Sequence, residues 1–158
     1  MLRPRIANAW GTVHADIASY ASFYPGLLDG LFIDEMPSLP GFEAYYVNLT
    51  SAARELGFTY FVGNPGEVPD ASYFNVGIDT LIVYENAYEP TDLTFSDNSA
   101  ASLVQRAVIP YNVSSLNVTW VQQAKASLGW IYVTDQTLPN PWGALPAYFQ
   151  DLVAALVV

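Results

Sequence analysis

The chain contains no cysteine in its 158 residues. Disulfide stapling and thiolate metal sites are therefore excluded. Histidine is nearly absent as well: His14 is the only one. A histidine-rich metal site or a Ser-His-Asp triad fits poorly, so any catalysis falls to carboxylates, with no metal and no cofactor expected. Lys and Arg together number 5 against 15 Asp and Glu, a formal net charge of -10 and a pI near 4.1. So few cations cannot neutralise a phosphate backbone, which argues against nucleic acid as a partner. The balance suits a neutral or cationic ligand, although it also serves solubility alone. No apolar run approaches the roughly 18 residues that a membrane span requires. Met1–Arg5 is basic but no apolar stretch follows, so no signal peptide is expected in this chain. The dinucleotide motif GxGxxG and the phosphate loop GxxxxGK(S/T) are missing too.

What the chain does have is apolar mass: 52% hydrophobic and 15% aromatic residues, enough for one folded domain with a real core. Two apolar runs end abruptly in acid, Leu31-Phe32-Ile33-Asp34-Glu35 and Leu81-Ile82-Val83-Tyr84-Glu85. With only 13% charged residues, these are unusual places for carboxylates. A buried parallel strand reads as a continuous apolar run, and its C-terminal end is where α/β enzymes place chemistry.

Further runs rich in β-branched and aromatic residues extend the pattern. Strands are expected at Leu31–Asp34, Thr59–Val62, Thr80–Tyr84, Ala107–Tyr111 and Trp130–Thr134. Helices are expected at Thr12–Phe23, Phe42–Leu56, Ala71–Val76, Ser99–Arg106, Ser114–Leu128 and Leu145–Leu156, with Gly57 and Gly129 as C-caps. Strand starts fall roughly 20 to 28 residues apart, the rhythm of strand–helix units in a parallel sheet. No internal domain boundary is visible. A leading helix followed by five such units fits an open doubly wound sheet. It equally fits a (β/α)8 barrel without its first three strands, where the acid-ended runs would be the fourth and sixth strands and the acids would face the barrel mouth.

Glycoside hydrolysis needs two carboxyl groups flanking the scissile bond. Asp34, Glu35 and Glu85 can supply them; the competing reading is that each caps a helix or a turn. Adjacent strand residues point to opposite faces, so parity alone does not choose between Asp34 and Glu35. Asp135 ends the last run in the same way, as a sugar-hydroxyl ligand or a turn residue. Asn64, in Asn64-Pro65-Gly66, follows the second strand, where a tight turn is the plainer explanation. Tyr84, Tyr88, Tyr111, Trp130, Tyr132 and Trp142 put aromatics near strand ends. Aromatic faces stack on sugar rings, but core packing is their commoner use. Trp142, in the loop Leu138–Trp142, is the better binding candidate. Three N-glycosylation sequons, at Asn48, Asn112 and Asn117, hint at secretion.

Four motifs stand in order: Phe32-Ile33-Asp34-Glu35-Met36-Pro37, Gly63-Asn64-Pro65-Gly66, Val83-Tyr84-Glu85-Asn86, and Tyr132-Val133-Thr134-Asp135 followed by Thr137-Leu138-Pro139-Asn140-Pro141. With Asp16-Ile17-Ala18-Ser19-Tyr20 before them, they make the chain resemble the spherulation-specific family 4, or spherulin-4-like, proteins from about Trp10 to Phe149. The resemblance implies a (β/α)8 TIM-type barrel and a glycoside hydrolase of the endo-α-1,4-N-acetylgalactosaminidase type, acting on galactosaminogalactan outside the cell or at its surface. By the same resemblance Asp34 is the nucleophile, Glu85 the general acid/base and Glu35 an orienting group. Asn64, Tyr84, Tyr111, Asp135 and Trp142 are the residues expected to contact the polysaccharide. A retaining outcome would require the two carboxyl groups to lie only about 5 Å apart. Family members carry a further N-terminal segment. The expectation for residues 1–158 is therefore one partial barrel domain, N-terminally truncated, with two open strand edges. The alternative function is a non-catalytic glycan-binding or structural remnant.

Overall fold

The apolar run Thr80–Tyr84 is a strand with the bounds expected of it, buried at every residue but Tyr84. In the computed structural model, which describes residues 9–95 and 102–157, it is the third of five strands. In chain order the elements are α1 (Ala9–Phe23), β1 (Gly30–Ile33), α2 (Glu43–Glu55), β2 (Tyr60–Gly63), β3 (Thr80–Tyr84), β4 (Arg106–Val108), α3 (Val118–Ala124), β5 (Trp130–Ile131) and α4 (Phe149–Val157). The strand order is β1-β2-β3-β4-β5. The pairs β1–β2, β2–β3 and β4–β5 are parallel. A doubly wound sheet reverses its order at a switch point; this order is sequential, so that alternative is set aside. The α/β class with a parallel sheet is as expected.

The contacts divide the chain into two compact units. One ends at Pro65 and takes in Pro69–Leu81; the other comprises Gly66–Val68 and the described residues from Ile82 onward. In the first, Val13 and Ile17 of α1 and Tyr46, Leu49 and Ala53 of α2 are buried with Leu31, Ile33 and Phe61 of the strands. Each such large apolar side chain contributes about 1.5–3 kcal/mol on burial. Glu43 in the first turn of α2 and Arg54 in its last complement the helix dipole. Thr50 ties the helix down, its hydroxyl donating to the Val76 carbonyl at 3.0 Å. In the second unit, Val108, Trp120, Val121, Ala124, Val133 and Leu152 form the buried set.

Several expected elements are shorter than their patterns suggested. The strand expected at Ala107–Tyr111 covers only Arg106–Val108, and that at Trp130–Thr134 only Trp130–Ile131. Pro110 offers no N–H to a ladder, yet its carbonyl accepts from the Thr134 N–H, so pairing continues without regular strand geometry. The helix expected at Ser114–Leu128 starts at Val118, because the Asn117 side chain accepts from the Trp120 N–H and caps it there. Ala71–Asn75 is a 3-10 helix, capped by Asp70. Of the helix expected at Ser99–Arg106, only Leu103–Gln105 forms a 3-10 turn; Ser99–Ala101 lie outside the described residues.

Gly57 does sit just past α2 at φ 97°. Gly129 is different: α3 ends at Ala124, and its glycine is needed for space. A Cβ there would stand 2.6 Å from Val104 Cα and 2.7 Å from the Leu103 carbonyl oxygen. Gly129→Ala should therefore destabilise the fold by about 1–3 kcal/mol, read from chemical denaturation; an unchanged midpoint would refute the close approach.

Candidate active site

Three of the expected site residues stand one position beyond a strand end. Asp34 follows β1, Asn64 follows β2 and Glu85 follows β3. In a parallel sheet these are C-terminal ends, where the apolar ladder stops and polar groups meet solvent.

In the first unit the ladder runs past β1 and β2 into their loops. The Asn64 N–H donates to the Ile33 carbonyl at 2.8 Å, and the Met36 N–H returns to the Asn64 carbonyl at 3.0 Å. Asp34 and Glu35 are thus clasped between two backbone bonds. Asn64 is buried, and its side-chain amide donates to Asp34 Oδ1 at 2.9 Å. The bond fixes one carboxylate oxygen and leaves Oδ2 for other chemistry. Glu35 takes a left-handed backbone, φ 54°, and is exposed. That turn separates the two acids, which strand parity could not do. Gly66, at φ 73°, takes a left-handed backbone in a bend that follows Asn64-Pro65. The loops that follow are laced further. The Asp70 N–H donates to the Ser38 carbonyl and the Tyr73 hydroxyl to that of Leu39.

In the second unit Glu85 is half-buried, and its N–H donates to the Gly66 carbonyl at 2.9 Å. The Tyr84 hydroxyl donates to the Tyr88 carbonyl at 3.1 Å, so it closes the loop that Glu85 opens. Trp142 packs against Tyr111 with centroids 6.3 Å apart and rings perpendicular, and against Tyr132 at 6.2 Å. Tyr132 thereby joins the aromatic group around two expected contact residues. Asp135 is half-buried at the head of the same loop. The Gln136 side-chain amide and the Ala147 N–H donate to its carboxylate and hold it below the usual carboxylate range, so it is anionic.

Two groups of this unit had no sequence signal. Tyr148 donates its hydroxyl to the Val113 carbonyl at 2.7 Å. Burial, with Asp135, Glu89 and Tyr132 nearby, pushes its phenol up to about 12. Glu89 is half-buried, and burial raises its carboxyl against the opposing effect of hydrogen bonds from Asn117. His14 lies half-buried on α1. Among the described residues, no cluster of His, Cys, Asp and Glu has the arrangement of a metal site.

The family model of spherulation-specific family 4 matches residues 5–156. Spherulin-4 of Physarum polycephalum is 28% identical over 142 residues, which span 82% of this chain and 42% of that protein. The chain thus spans about two fifths of the length of this curated relative. Among solved structures, Aspergillus clavatus Sph3, crystallised in complex with GalNAc, superposes with a TM-score of 0.82 at 20% identity. The match covers 96% of this chain and 68% of the Sph3 chain, a likeness of fold.

Asn64→Ala removes a charge-assisted bond to Asp34 and should cost about 1.5–3 kcal/mol of stability. Asn64→Asp, which puts a second carboxylate against the first, should cost at least as much at neutral pH and recover as pH falls. Thermal melts across pH decide this; two variants indistinguishable from wild type would mean that the Asp34–Asn64 bond does not hold in solution.

Proposed function

The chain belongs to spherulation-specific family 4, and from that premise we propose that it is a glycoside hydrolase that cleaves α-1,4-linked, N-acetylgalactosamine-rich polysaccharide internally. The observation that carries the reading is the placement of Asp34, Asn64 and Glu85, each one residue beyond its strand. The Sph3 complex with GalNAc supports the sugar class. In this reading the strands belong to a (β/α)8-type barrel. The protein works outside the cell or at its surface; among the described residues no helix is long and apolar enough to cross a membrane.

Asp34 is the nucleophile, attacking the anomeric carbon with Oδ2 while Asn64 holds Oδ1 in place. Glu85 gives its proton to the leaving oxygen and then takes one from the attacking water, as a retaining mechanism requires. Glu35 orients or tunes the two reacting acids. Tyr111 and Trp142 offer aromatic faces and edges to the sugar rings, and ionised Asp135 accepts from hydroxyls or pairs with an unacetylated amino group. Tyr84 acts through the loop its hydroxyl closes.

Carbohydrate binding without cleavage is the second reading. It draws on the aromatic group and Asp135, a set of sugar contacts that calls on no reacting carboxylate. Incubation with galactosaminogalactan separates the two, because only a hydrolase releases oligosaccharides. Glu85→Gln should lower release by about 10²–10⁴-fold while polymer binding persists; undiminished release would remove Glu85 from its role. With net charge -10, binding to a partly deacetylated, cationic polymer should weaken as salt rises from about 0.05 to 0.5 M, where screening shortens. Salt-independent binding would count against an electrostatic contribution.

A further inference from the structure

Glu89 lies four residues beyond Glu85, in a segment pinned at nearly every step. The Tyr111 N–H donates to the Asn86 carbonyl at 3.0 Å, and the Tyr88 N–H to the Tyr111 carbonyl at 2.8 Å. The Trp120 indole N–H donates to the Pro90 carbonyl at 2.9 Å. Tyr88, at φ 66°, holds a left-handed backbone that a tyrosine rarely adopts. Such a residue persists only where its surroundings over-determine it. Glu89 comes next in the chain, and its carboxylate accepts from both the backbone N–H and the side chain of Asn117. Asn117 in turn caps α3 through Oδ1, which accepts from the Trp120 N–H at 3.1 Å. One carboxylate oxygen of Glu89, Oε1, is fully buried and has no hydrogen-bond partner among the described residues. An ionised group in that setting is costly, and nothing in the proposed chemistry uses it.

We propose that Glu89 is a positioning residue: through Asn117 it fastens the segment that begins at Glu85 to the start of α3. Its buried Oε1 keeps it from touching substrate, so its effect passes through the backbone of residues 85–90. The groups that bear on it are Asn117 on the start of α3 and Tyr148 beside α4, which is itself close to Asp135. Burial raises the folded-state proton affinity of Glu89 above its ordinary value of 4.5. Between that value and the raised one the folded state holds more protons than the unfolded chain, so this carboxyl's contribution to stability falls as pH rises. Gln in its place keeps the acceptor oxygen and removes the titration.

The catalytic part rests on the reading of Glu85 as the reacting acid, so the experiment has an arm that does not. In Glu89→Ala, amide hydrogen exchange at residues 86–88 should accelerate at least about tenfold, while α4 exchanges as in wild type. Glu89→Gln should keep wild-type exchange, and its melting temperature should gain on wild type as pH rises from 4 to 7. Asn117→Ala should loosen the same amides. In an active enzyme, Glu89→Ala should lower kcat about 10–100-fold with KM nearly unchanged, and Glu89→Gln should restore most of it. Unchanged exchange at residues 86–88 in both Glu89→Ala and Asn117→Ala overturns the latch. If Glu89→Ala does not fold, Asn117→Ala and the pH trend of Glu89→Gln decide. Loosened exchange with unchanged kcat per folded molecule makes Glu89 structural and overturns its positioning role. A wild type that releases no oligosaccharide overturns the hydrolase reading instead, and the exchange result still judges the latch.

Discussion

The backbone ladder of the parallel strands does not stop where the strands do, and the candidate chemistry depends on that. At a C-terminal strand end, N–H and C=O groups emerge half-buried and must find partners or lose free energy. Here they find them in the neighbouring loop. Asn64 pairs with Ile33 and Met36, Glu85 with Gly66, Tyr111 with Asn86, and Asn112 with Gln136. Each bond continues the register by one or two residues without strand geometry. The side chains carried on these residues are therefore held by backbone rather than left on free loops. An acid placed there is rigid at its root and polar at its tip, a combination suited to a reacting carboxylate.

The two units use this constraint differently. In the first, the clasp around Asp34 is short and reinforced by a buried side chain, Asn64. Glu35 is turned out by a left-handed step that the clasp permits. In the second, the loops are longer, and side chains take over the bracing. Trp120 reaches Pro90, Tyr148 reaches Val113, and Tyr84 reaches Tyr88. Aromatic residues suit this task because they reach far with few rotatable bonds. The high aromatic share thus serves loop order as well as the core and any sugar contact.

Much of the scaffold was legible because apolar runs are the strongest sequence signal. Thr80–Tyr84 was read to the residue, since Asp79 and Glu85 bound it sharply and both faces are buried. The acid-ended runs correctly marked strand ends at Asp34 and Glu85. Where the strands give way to ladder without regular geometry, as at Ile109–Tyr111, the same apolar pattern overshot. Strand parity alone did not separate Asp34 from Glu35, because a left-handed glutamate has no compositional mark. Asn64 was legible as a turn residue and a candidate sugar contact but not as a partner of Asp34, because their bond joins positions 30 apart in sequence. Glu89 and Tyr148 had no signal at all, for their character comes from burial by residues distant in the chain. Gly129 was misassigned because a glycine needed for close approach and a glycine needed for a positive φ look alike in sequence.

Two carboxyls of the second unit show how the fold, not the residue type, sets charge. Asp135 receives donors from Gln136 and Ala147 and stays ionised. Glu89 also receives donors, from Asn117, but burial outweighs them and its proton affinity rises. Tyr148 is electrostatically coupled to both. Its own burial, with their negative charge adding to it, pushes its phenol up to about 12, so it remains a neutral donor whether Glu89 is ionised or not. Its bond to Val113 is accordingly indifferent to pH across the range in which Glu89 titrates. The loop after β4 is thus tied to the segment before α4 by a bond that does not titrate. The segment after β3 is tied to α3 by one that does. Rising pH therefore weakens the tie at Glu89, in the segment that carries Glu85, whereas falling pH weakens the one at Asp135, whose folded carboxyl is held below its ordinary value.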